Sequence, residues 1–424
     1  MNSRPRLLYL AYYFRPAQMI ASVRTWNTAT HLSRLGWDVQ VVTPDPSLWL
    51  DKEDSGSVDL SIEENGFSRI VTSHGLRMLV PGDVSYPRNG FSRLIGVIGR
   101  RATDILGCDR QIGWARPAEI ACAALNSGDI DCILASGPPF VAFRVAKRLA
   151  DRLNCPYVMD YRDPWNGDPH RLYERPDKPW SIKEERSLLR DCGAVTVVTP
   201  SWAKQLDQQY DVGVKTHVIS NGYDRTMFGG IKPARFDHFA VVYAGTLYPP
   251  KRVLDPVLAA FAKSLKQVSI PMRFHHYGSH GEMIRESARR FGVEEFVELH
   301  GQTSRSEALS AQKGANLVVA VTSVEENGAV SDNGMVTGKI FDCLGLDAPV
   351  LVVAPRGNDI YSIAEKAGGM RCFTGTDISG IAGYLTACSN GDLPQSRNPD
   401  MFQWENIGAQ LDAVLRKTIS KEKN

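Results

Sequence analysis

The segment densest in reactive groups runs from Asp332 to Val350 and reads Asp-Asn-Gly-Met-Val-Thr-Gly-Lys-Ile-Phe-Asp-Cys-Leu-Gly-Leu-Asp-Ala-Pro-Val. Asn333-Gly334 is a turn signal, and Thr337 then falls where a helix N-cap belongs. A helix beginning over Thr337, Gly338 and Lys339 would present free backbone N–H groups and the positive end of its dipole. A diphosphate sits well on such a terminus. Lys339 would add a point charge, and Asp342, one turn further on, is spaced to accept hydrogen bonds from sugar hydroxyls such as a ribose diol. Without a ligand, the same residues describe a capped helix with a solvated lysine and aspartate.

Other nucleotide and metal signatures are missing. No G-x-G-x-x-G follows the first apolar run, where Phe14-Arg15-Pro16-Ala17-Gln18 stands instead, and this argues against a Rossmann dehydrogenase. Gly334 to Ile340 superficially follows a P-loop, but three residues rather than four separate its glycines, and Ile340 occupies the magnesium-binding position. Asp129-Ile130-Asp131 spells a D-x-D, yet just before a buried strand two acids most simply solvate a loop. His275 and His276 precede Gly278 in a predicted strand. With no carboxylate or cysteine to complete a ligand set, they are expected in the core or beside a nucleotide base rather than on a metal. The eight cysteines form no C-x-x-C pair and most lie in apolar runs, the usage of a reducing compartment with no structural metal.

These groups need a scaffold, and strand-length apolar runs alternating with helix-period segments predict an α/β fold with parallel sheets. Strands are expected at Leu7–Tyr13, Val39–Thr43, Cys132–Ser136, Tyr157–Asp160 and Ala194–Val198, with helices at Ser22–Leu35, Phe140–Leu153 and Ile182–Leu189. After the turn Asn221-Gly222-Tyr223-Asp224 a second series begins. Its strands are Phe239–Ala244, Arg273–Tyr277, Phe296–Leu299, Leu317–Thr322 and Val350–Ala354, with helices near 254–266, 281–291, 304–313, 338–346 and 358–367. Residues 44 to 116 are less regular and suggest long loops with a helix or two. The pattern gives two doubly wound Rossmann-like domains, 1–222 and 223–400, facing across a cleft. In the closing segment 401–424, Ile407, Leu411, Val414 and Leu415 mark an amphipathic helix that packs back toward the first domain. Open parallel sheets bind ligands at the carboxyl ends of their strands, so this architecture suits an enzyme with one ligand per domain.

Composition narrows the class of partner. The 424 residues are 43% hydrophobic and 23% charged, and 49 basic against 47 acidic side chains leave a net charge of +2, which argues against a dedicated nucleic-acid binder. The first apolar run is too short to span a membrane, so a cytoplasmic protein is expected. Between Arg69 and Arg116, eight arginines face three aspartates, and the stretch 88–116 interleaves Phe91, Leu94, Ile95, Val97 and Ile98 with Arg88, Arg93, Arg100 and Arg101. Such a segment can lie on the anionic inner face of the cell membrane and deliver a lipid-linked acceptor, or pack as a helix with solvated arginines.

Several segments, taken in chain order, form a larger pattern: Tyr9-Leu10-Ala11-Tyr12-Tyr13-Phe14-Arg15-Pro16, Ser136-Gly137-Pro138-Pro139, Asp160-Tyr161-Arg162-Asp163-Pro164-Trp165, Asn221-Gly222-Tyr223-Asp224, Gly245-Thr246-Leu247-Tyr248-Pro249-Pro250-Lys251, and Thr337 to Leu344 with Ala348-Pro349-Val350-Leu351. Over nearly the whole chain this resembles glycosyltransferase family 4, enzymes of the GT-B fold. The matching family motifs are its first strand and loop, S-x-P-P, D-x-R-D-P-W, N-G-x-D, G-x-L-x-x-x-K, and K-x-F-E-Y-L with P-V-L.

The resemblance implies a donor site in the second domain. Lys251 falls where the family places a lysine on the donor diphosphate, with Arg252 adjacent, and Gly245 opens the donor loop. Asp342 falls on the glutamate that binds the nucleotide ribose, and Gly301 resembles the strand-end glycine near the base. In the first domain, Asp163 and Arg162 lie near where the family positions a His or Asp facing the transferred sugar. Asp163 would orient or deprotonate an acceptor hydroxyl and Arg162 would hold a phosphate or carboxylate, unless Arg162 simply pairs with Asp163 or Asp160. Three positions depart from the family: Gly334 replaces the first glutamate of E-x7-E, Thr246 an arginine, and Pro16 to Ile20 a glycine pair.

The implied activity is that of a retaining, metal-independent glycosyltransferase moving a hexose-type sugar from a nucleotide diphosphate sugar, a UDP-sugar, to a hydroxyl acceptor. Its product would be a cell-envelope polysaccharide or a secondary metabolite, and it would need no cofactor beyond that co-substrate. Lys251 and Arg252 would stabilise the departing phosphate. The same fold would serve an NDP-sugar epimerase or a pseudo-glycosyltransferase, and the departures at Gly334 and Thr246 fit a protein that binds nucleotide sugar without turnover.

Overall fold

The computed structural model describes residues 4–17, 20–49, 66–73, 109, 111–168, 177–326, 330–396 and 398–422. The arginine-rich stretch 88–116 lies outside them except for 109 and 111–116. Contacts divide the chain into two units, Met1–Ser220 together with Trp404–Asn424, and Asn221–Gln403.

The first unit is built on seven parallel strands, β1 (Arg6–Leu10), β2 (Asp38–Pro44), β3 (Ser68–Thr72), β4 (Cys132–Gly137), β5 (Tyr157–Tyr161), β6 (Ala194–Val197) and β7 (Thr216–Val218), in the order β3-β2-β1-β4-β5-β6-β7. Leu7 of β1 lies opposite Val39 on one side and Cys132 on the other. Alternate residues feed two cores. Leu8, Leu10, Ile133, Ala135 and Met159 pack on one face of the sheet; Leu7, Tyr9, Cys132, Leu134 and Val158 pack on the other. A strand buried on both faces reads as an unbroken apolar run, which is why these strands are legible in the sequence. Each such Leu or Val contributes roughly 1.5–3 kcal/mol by leaving water.

The second unit repeats the plan with β8 (Phe239–Ala244), β9 (Met272–Tyr277), β10 (Val297–Gly301), β11 (Leu317–Val321), β12 (Val350–Val353) and β13 (Met370–Phe373), in the order β10-β9-β8-β11-β12-β13. Val242, Val318 and Val350 face one core and Val241, Val319 and Leu351 the other. In each sheet the strand order reverses once, between β1 and β4 and between β8 and β11. The crevice at the carboxyl ends of such a pair is where open α/β sheets take ligands.

The helix Trp404–Glu422 completes the first unit. Ile407, Leu411, Val414 and Leu415 are all buried in the core beneath β1. Asp412 Oδ1 accepts a 2.6 Å hydrogen bond from Trp37 Nε1. A Cβ on Gly408 would stand 2.7 Å from His31 Cβ, so the glycine permits close packing on the helix Ile20–Arg34. The seven described cysteines are free thiols, and all but Cys372 are buried. No described helix is long and apolar enough to cross a membrane.

Candidate functional site

In the second unit the loops after β8, β9 and β10 meet the start of the helix Lys339–Leu346. Gly245 ends β8 at φ +141°, and its N–H donates to Tyr277 O at 2.7 Å. A Cβ there would lie 1.5 Å from Lys339 Nζ, while one on Gly278, at φ +149°, would lie 2.5 Å from Gly245 O. Two glycines therefore make the room that brings the lysine ammonium to the end of the central strand. Gly301, at φ +70°, closes β10, and its carbonyl accepts from Gly278 N–H at 2.7 Å. Beside it the exposed His300 ring stacks on Tyr277, with centroids 4.1 Å apart and planes within 4°.

Lys339 Nζ sits 4.9 Å above the Tyr243 ring and has no acidic ion-pair partner among the described residues. Burial, with the nearby Arg252 cation second, pulls its ammonium down to about 8. Arg252 lies 5.2 Å over the Tyr248 ring, and its buried Nε has no hydrogen-bond partner among the described residues. The two backbones of Tyr248 and Arg252 bond each other in both directions, at 2.8 and 2.9 Å, which fixes the loop carrying the arginine. Two cations with no acidic ion-pair partner among the described residues can together hold an anion of two charges.

Lys251, which the sequence analysis expects on the donor diphosphate, is engaged in a buried ion pair. Its Nζ donates to both carboxylate oxygens of Asp332, at 2.7 and 2.8 Å, and the two residues are 4% and 2% exposed. A carboxylate supplied by the turn Val330–Gly334 thus matches the lysine that the motif placed on a diphosphate, and the pair clamps the loop after β8 to that turn. Val324 N–H donates to Lys251 O, and Asn358 Nδ2 donates to the carbonyls of Asp332 and Met335, holding the same turn. Thr337 is also corrected. The N-cap is Gly338, with no side-chain capping bond, because Ile340 N–H turns back to Thr337 O while the Phe341 and Asp342 N–H groups reach Gly338 O.

Asp342 lies in the first turn of that helix, half-buried, and its Oδ1 accepts from Arg305 Nη2 at 2.9 Å. Burial raises its carboxyl above the ordinary value against the pull of Arg305. Arg305 is a partner the motif did not indicate.

In the first unit, β5 delivers Asp160, Arg162 and Asp163. Asp160 is fully engaged: Arg24 reaches it at 2.7 and 3.1 Å, Thr196 Oγ1 at 2.7 Å and Ser136 Oγ at 3.1 Å. Burial raises its carboxyl, and the Arg24 guanidinium outweighs that and holds it below the ordinary value. With Asp160 taken by Arg24, no ion pair among the described residues joins Arg162 to Asp160 or Asp163. Arg162 instead anchors its N–H on Gly137 O at 2.8 Å and lays its guanidinium 5.7 Å over Tyr13, with its buried Nε lacking a partner. Asp163 is exposed beside it. The D-x-D is structural, since Asp131 binds Arg6 and Asp129 accepts from Asn126 N–H.

His275 and His276 are buried in the core, as the sequence analysis expects, but the expected lack of a nearby carboxylate does not hold. His275 does acquire a carboxylate and a second histidine, because β10 brings Glu298 alongside it and His238 approaches from the residue before β8. Burial pulls His275 down to about 4, so it is neutral. His276 Nε2–H donates to Gly245 O at 3.3 Å.

Residues 21–226 match the model of Glycosyltransferase Family 4. No protein of curated function matches the chain in sequence. Among solved structures, a sucrose-phosphate synthase from Thermosynechococcus elongatus is similar over 99% of this chain and 100% of its own, at TM-score 0.62 and 14% identity. HepE of Anabaena in complex with UDP-glucose is similar over 99% of both chains, at TM-score 0.53 and 13% identity. TarM of S. aureus, in a complex containing UDP, is similar over 99% and 97%, at 0.54 and 11%. The family match covers residues 21–226, and the fold shared along the whole length is the GT-B fold of these glycosyltransferases.

Proposed function

We propose that the chain transfers a sugar from a UDP-sugar to a hydroxyl acceptor, with retention at the anomeric carbon and without a catalytic metal. The observation that carries this reading is the Lys339 ammonium, drawn against Gly245 at the switch point of the second sheet with Arg252 as its electrostatic neighbour. Lys339 and Arg252 hold the donor diphosphate and stabilise the charge that grows on the departing phosphate, the work a divalent ion does in other transferases. Lys251 supports them by fixing their loop. Asp342 presents Oδ2 to the ribose diol while Oδ1 stays on Arg305, and the Tyr277–His300 stack beside Gly301 offers a flat edge to the base. Asp163 receives the acceptor hydroxyl, and Arg162 holds an anionic group of the acceptor side. The family resemblance supports retention. UDP is the nucleotide in the HepE and TarM complexes, which supports it as the donor here.

The acceptor class we assign is a lipid-linked hydroxyl delivered through the arginine-rich stretch 88–116, tested by salt-sensitive co-sedimentation with anionic liposomes. The donor assignment is tested by calorimetric titration and thermal shift with UDP-, GDP-, dTDP- and ADP-sugars on wild type and Lys339→Met. A UDP-sugar should bind, stabilise the protein by mass action and lose at least about tenfold in affinity in the variant. No binding by any of the four, or equal binding by the variant, overturns it. Gly334 is buried and brings no carboxylate to the donor loop, which favours a second reading, donor binding without turnover. Bound donor that is never consumed across a broad acceptor panel would select that reading.

A further inference from the structure

The unused chemistry of the second unit lies along β8, β9 and β10, where imidazoles form a row. Asp237 Oδ1 lies 2.6 Å from His238 Nδ1, His238 Nε2 lies 2.8 Å from His275 Nε2, and His275 Nδ1 lies 3.0 Å from His300 Nε2. Glu298 Oε2 stands 3.5 Å from His275 Nδ1, and its Oε1 is 3.1 Å from Arg273 Nη1. An ionised carboxylate only accepts, so Asp237 requires the proton of His238 on Nδ1 and leaves a lone pair on Nε2. His275 Nε2 faces that lone pair, so the two Nε2 atoms point at one another beside the Glu298 carboxylate. A cation between them resolves that arrangement.

We propose that His238, His275 and Glu298 form a binding site for a divalent transition-metal ion of the zinc type, sharing no side chain with the donor site. One ligand atom from each residue lies within 4.8 Å of the other two. Zinc holds imidazole nitrogen and carboxylate oxygen at about 2.0–2.2 Å, so a tetrahedral set spaces its ligands about 3.4 Å apart. Side-chain adjustments on the order of 1 Å close the site, and two imidazoles with one carboxylate leave a fourth position for water. Asp237 on the far nitrogen of His238 is the carboxylate–histidine support that metal-bound imidazoles ordinarily have. His275 is in register with Val242 of β8 and Glu298 of the edge strand β10, so the ion would tie three strands together. The competing arrangement is a metal-free hydrogen-bond chain in which His300 donates to His275 Nδ1 and His275 Nε2–H donates to His238.

The test uses the full chain, stripped with chelator, titrated with Zn2+ against a chromophoric competitor and with Co2+ followed in the visible. The expected result is one tightly held zinc per chain, Co2+ bands of a low-coordinate nitrogen and oxygen site, and a zinc-dependent rise in Tm. His238→Gln and Glu298→Gln should each weaken zinc by about tenfold or more. Their metal-free melts must match wild type, which separates loss of the site from loss of the fold. No stoichiometric zinc uptake, or uptake unchanged in both variants, overturns the proposal and assigns the row to the hydrogen-bond chain.

Discussion

Lys251→Met separates a structural from a catalytic role for the lysine that the family motif marks. Both partners of the Lys251–Asp332 pair are buried, and both oxygens of the carboxylate are within 2.8 Å of the ammonium. Removing one member of such a pair leaves an uncompensated charge in the interior, at about 3–5 kcal/mol. For a unit the size of Asn221–Gln403, each kcal/mol shifts Tm by roughly 2–4 °C, so Lys251→Met should lower the transition of this unit by about 6–20 °C. Asp332→Leu should do the same. The double variant should regain most of the loss, because two apolar side chains of similar volume in place of a buried pair are often neutral or better. A double-mutant cycle by calorimetry then gives a coupling of about 3 kcal/mol or more, and donor affinity measured on the folded double variant should stay near wild type. The opposite outcome refutes the assignment: Lys251→Met melting like wild type while losing donor affinity would mean that the ammonium serves the diphosphate and not Asp332.

Three further outcomes follow from the same geometry. With the Lys339 ammonium at about 8, donor affinity should hold below that pH and fall as pH rises through it; titration from pH 6.5 to 9.5 checks this, and Lys339→Met should flatten the slope. Gly245→Ala places a Cβ 1.5 Å from Lys339 Nζ at a φ of +141°, so it should cost about 1–3 kcal/mol in an unfolding titration and at least about tenfold in donor Kd. Burial pushes the Glu185 carboxyl up to about 7 from an ordinary 4.5, despite hydrogen bonds from Tyr161, Tyr210 and Asn166. The folded chain therefore binds a proton the unfolded chain has lost between those values, so the Glu185 contribution is complete below about 4.5 and declines by roughly 3 kcal/mol up to pH 7. Melting temperatures of Glu185→Gln should lack that decline relative to wild type.

What the sequence shows depends on burial. β1, β4, β5, β8, β11 and β12 sit inside the sheets, and both faces are apolar, so their runs stand out. The strands missing from the sequence reading are β3, β7 and β13, and all three are edges. Ser68–Thr72 and Thr216–Val218 are short and mostly half-buried or exposed, and Ser68, Arg69, Thr72, Thr216 and His217 leave no apolar run long enough to mark them. The helix Pro200–Tyr210 was missed for a related reason, since Trp202, Leu206 and Tyr210 are its only buried residues. Side-chain pairings were less legible. Asp332 lies 81 residues from Lys251, and Arg24 lies 136 from Asp160, and no local pattern announces either. His238 and Glu298 joined His275 for the same reason, because parallel strands bring together residues from distant crossovers.

The two units sort their cations in the same way. At the end of β5 one arginine, Arg24, lies buried against an acid and stabilises the fold, while Arg162 has no acidic partner among the described residues and rests on an aromatic ring. After β8 the buried, matched cation is Lys251, while Lys339 and Arg252, with no acidic ion-pair partner among the described residues, rest on Tyr243 and Tyr248. A cation on an aromatic face gains an attraction of about 0.5–2 kcal/mol, enough to hold it in place but well short of what a carboxylate would supply. It therefore stays oriented and keeps most of its charge for an incoming anion, whereas a cation already matched by a carboxylate must break that pair first. Motif position alone favours Lys251 for the diphosphate, and accounting for the partner of each charge favours Lys339 and Arg252 instead.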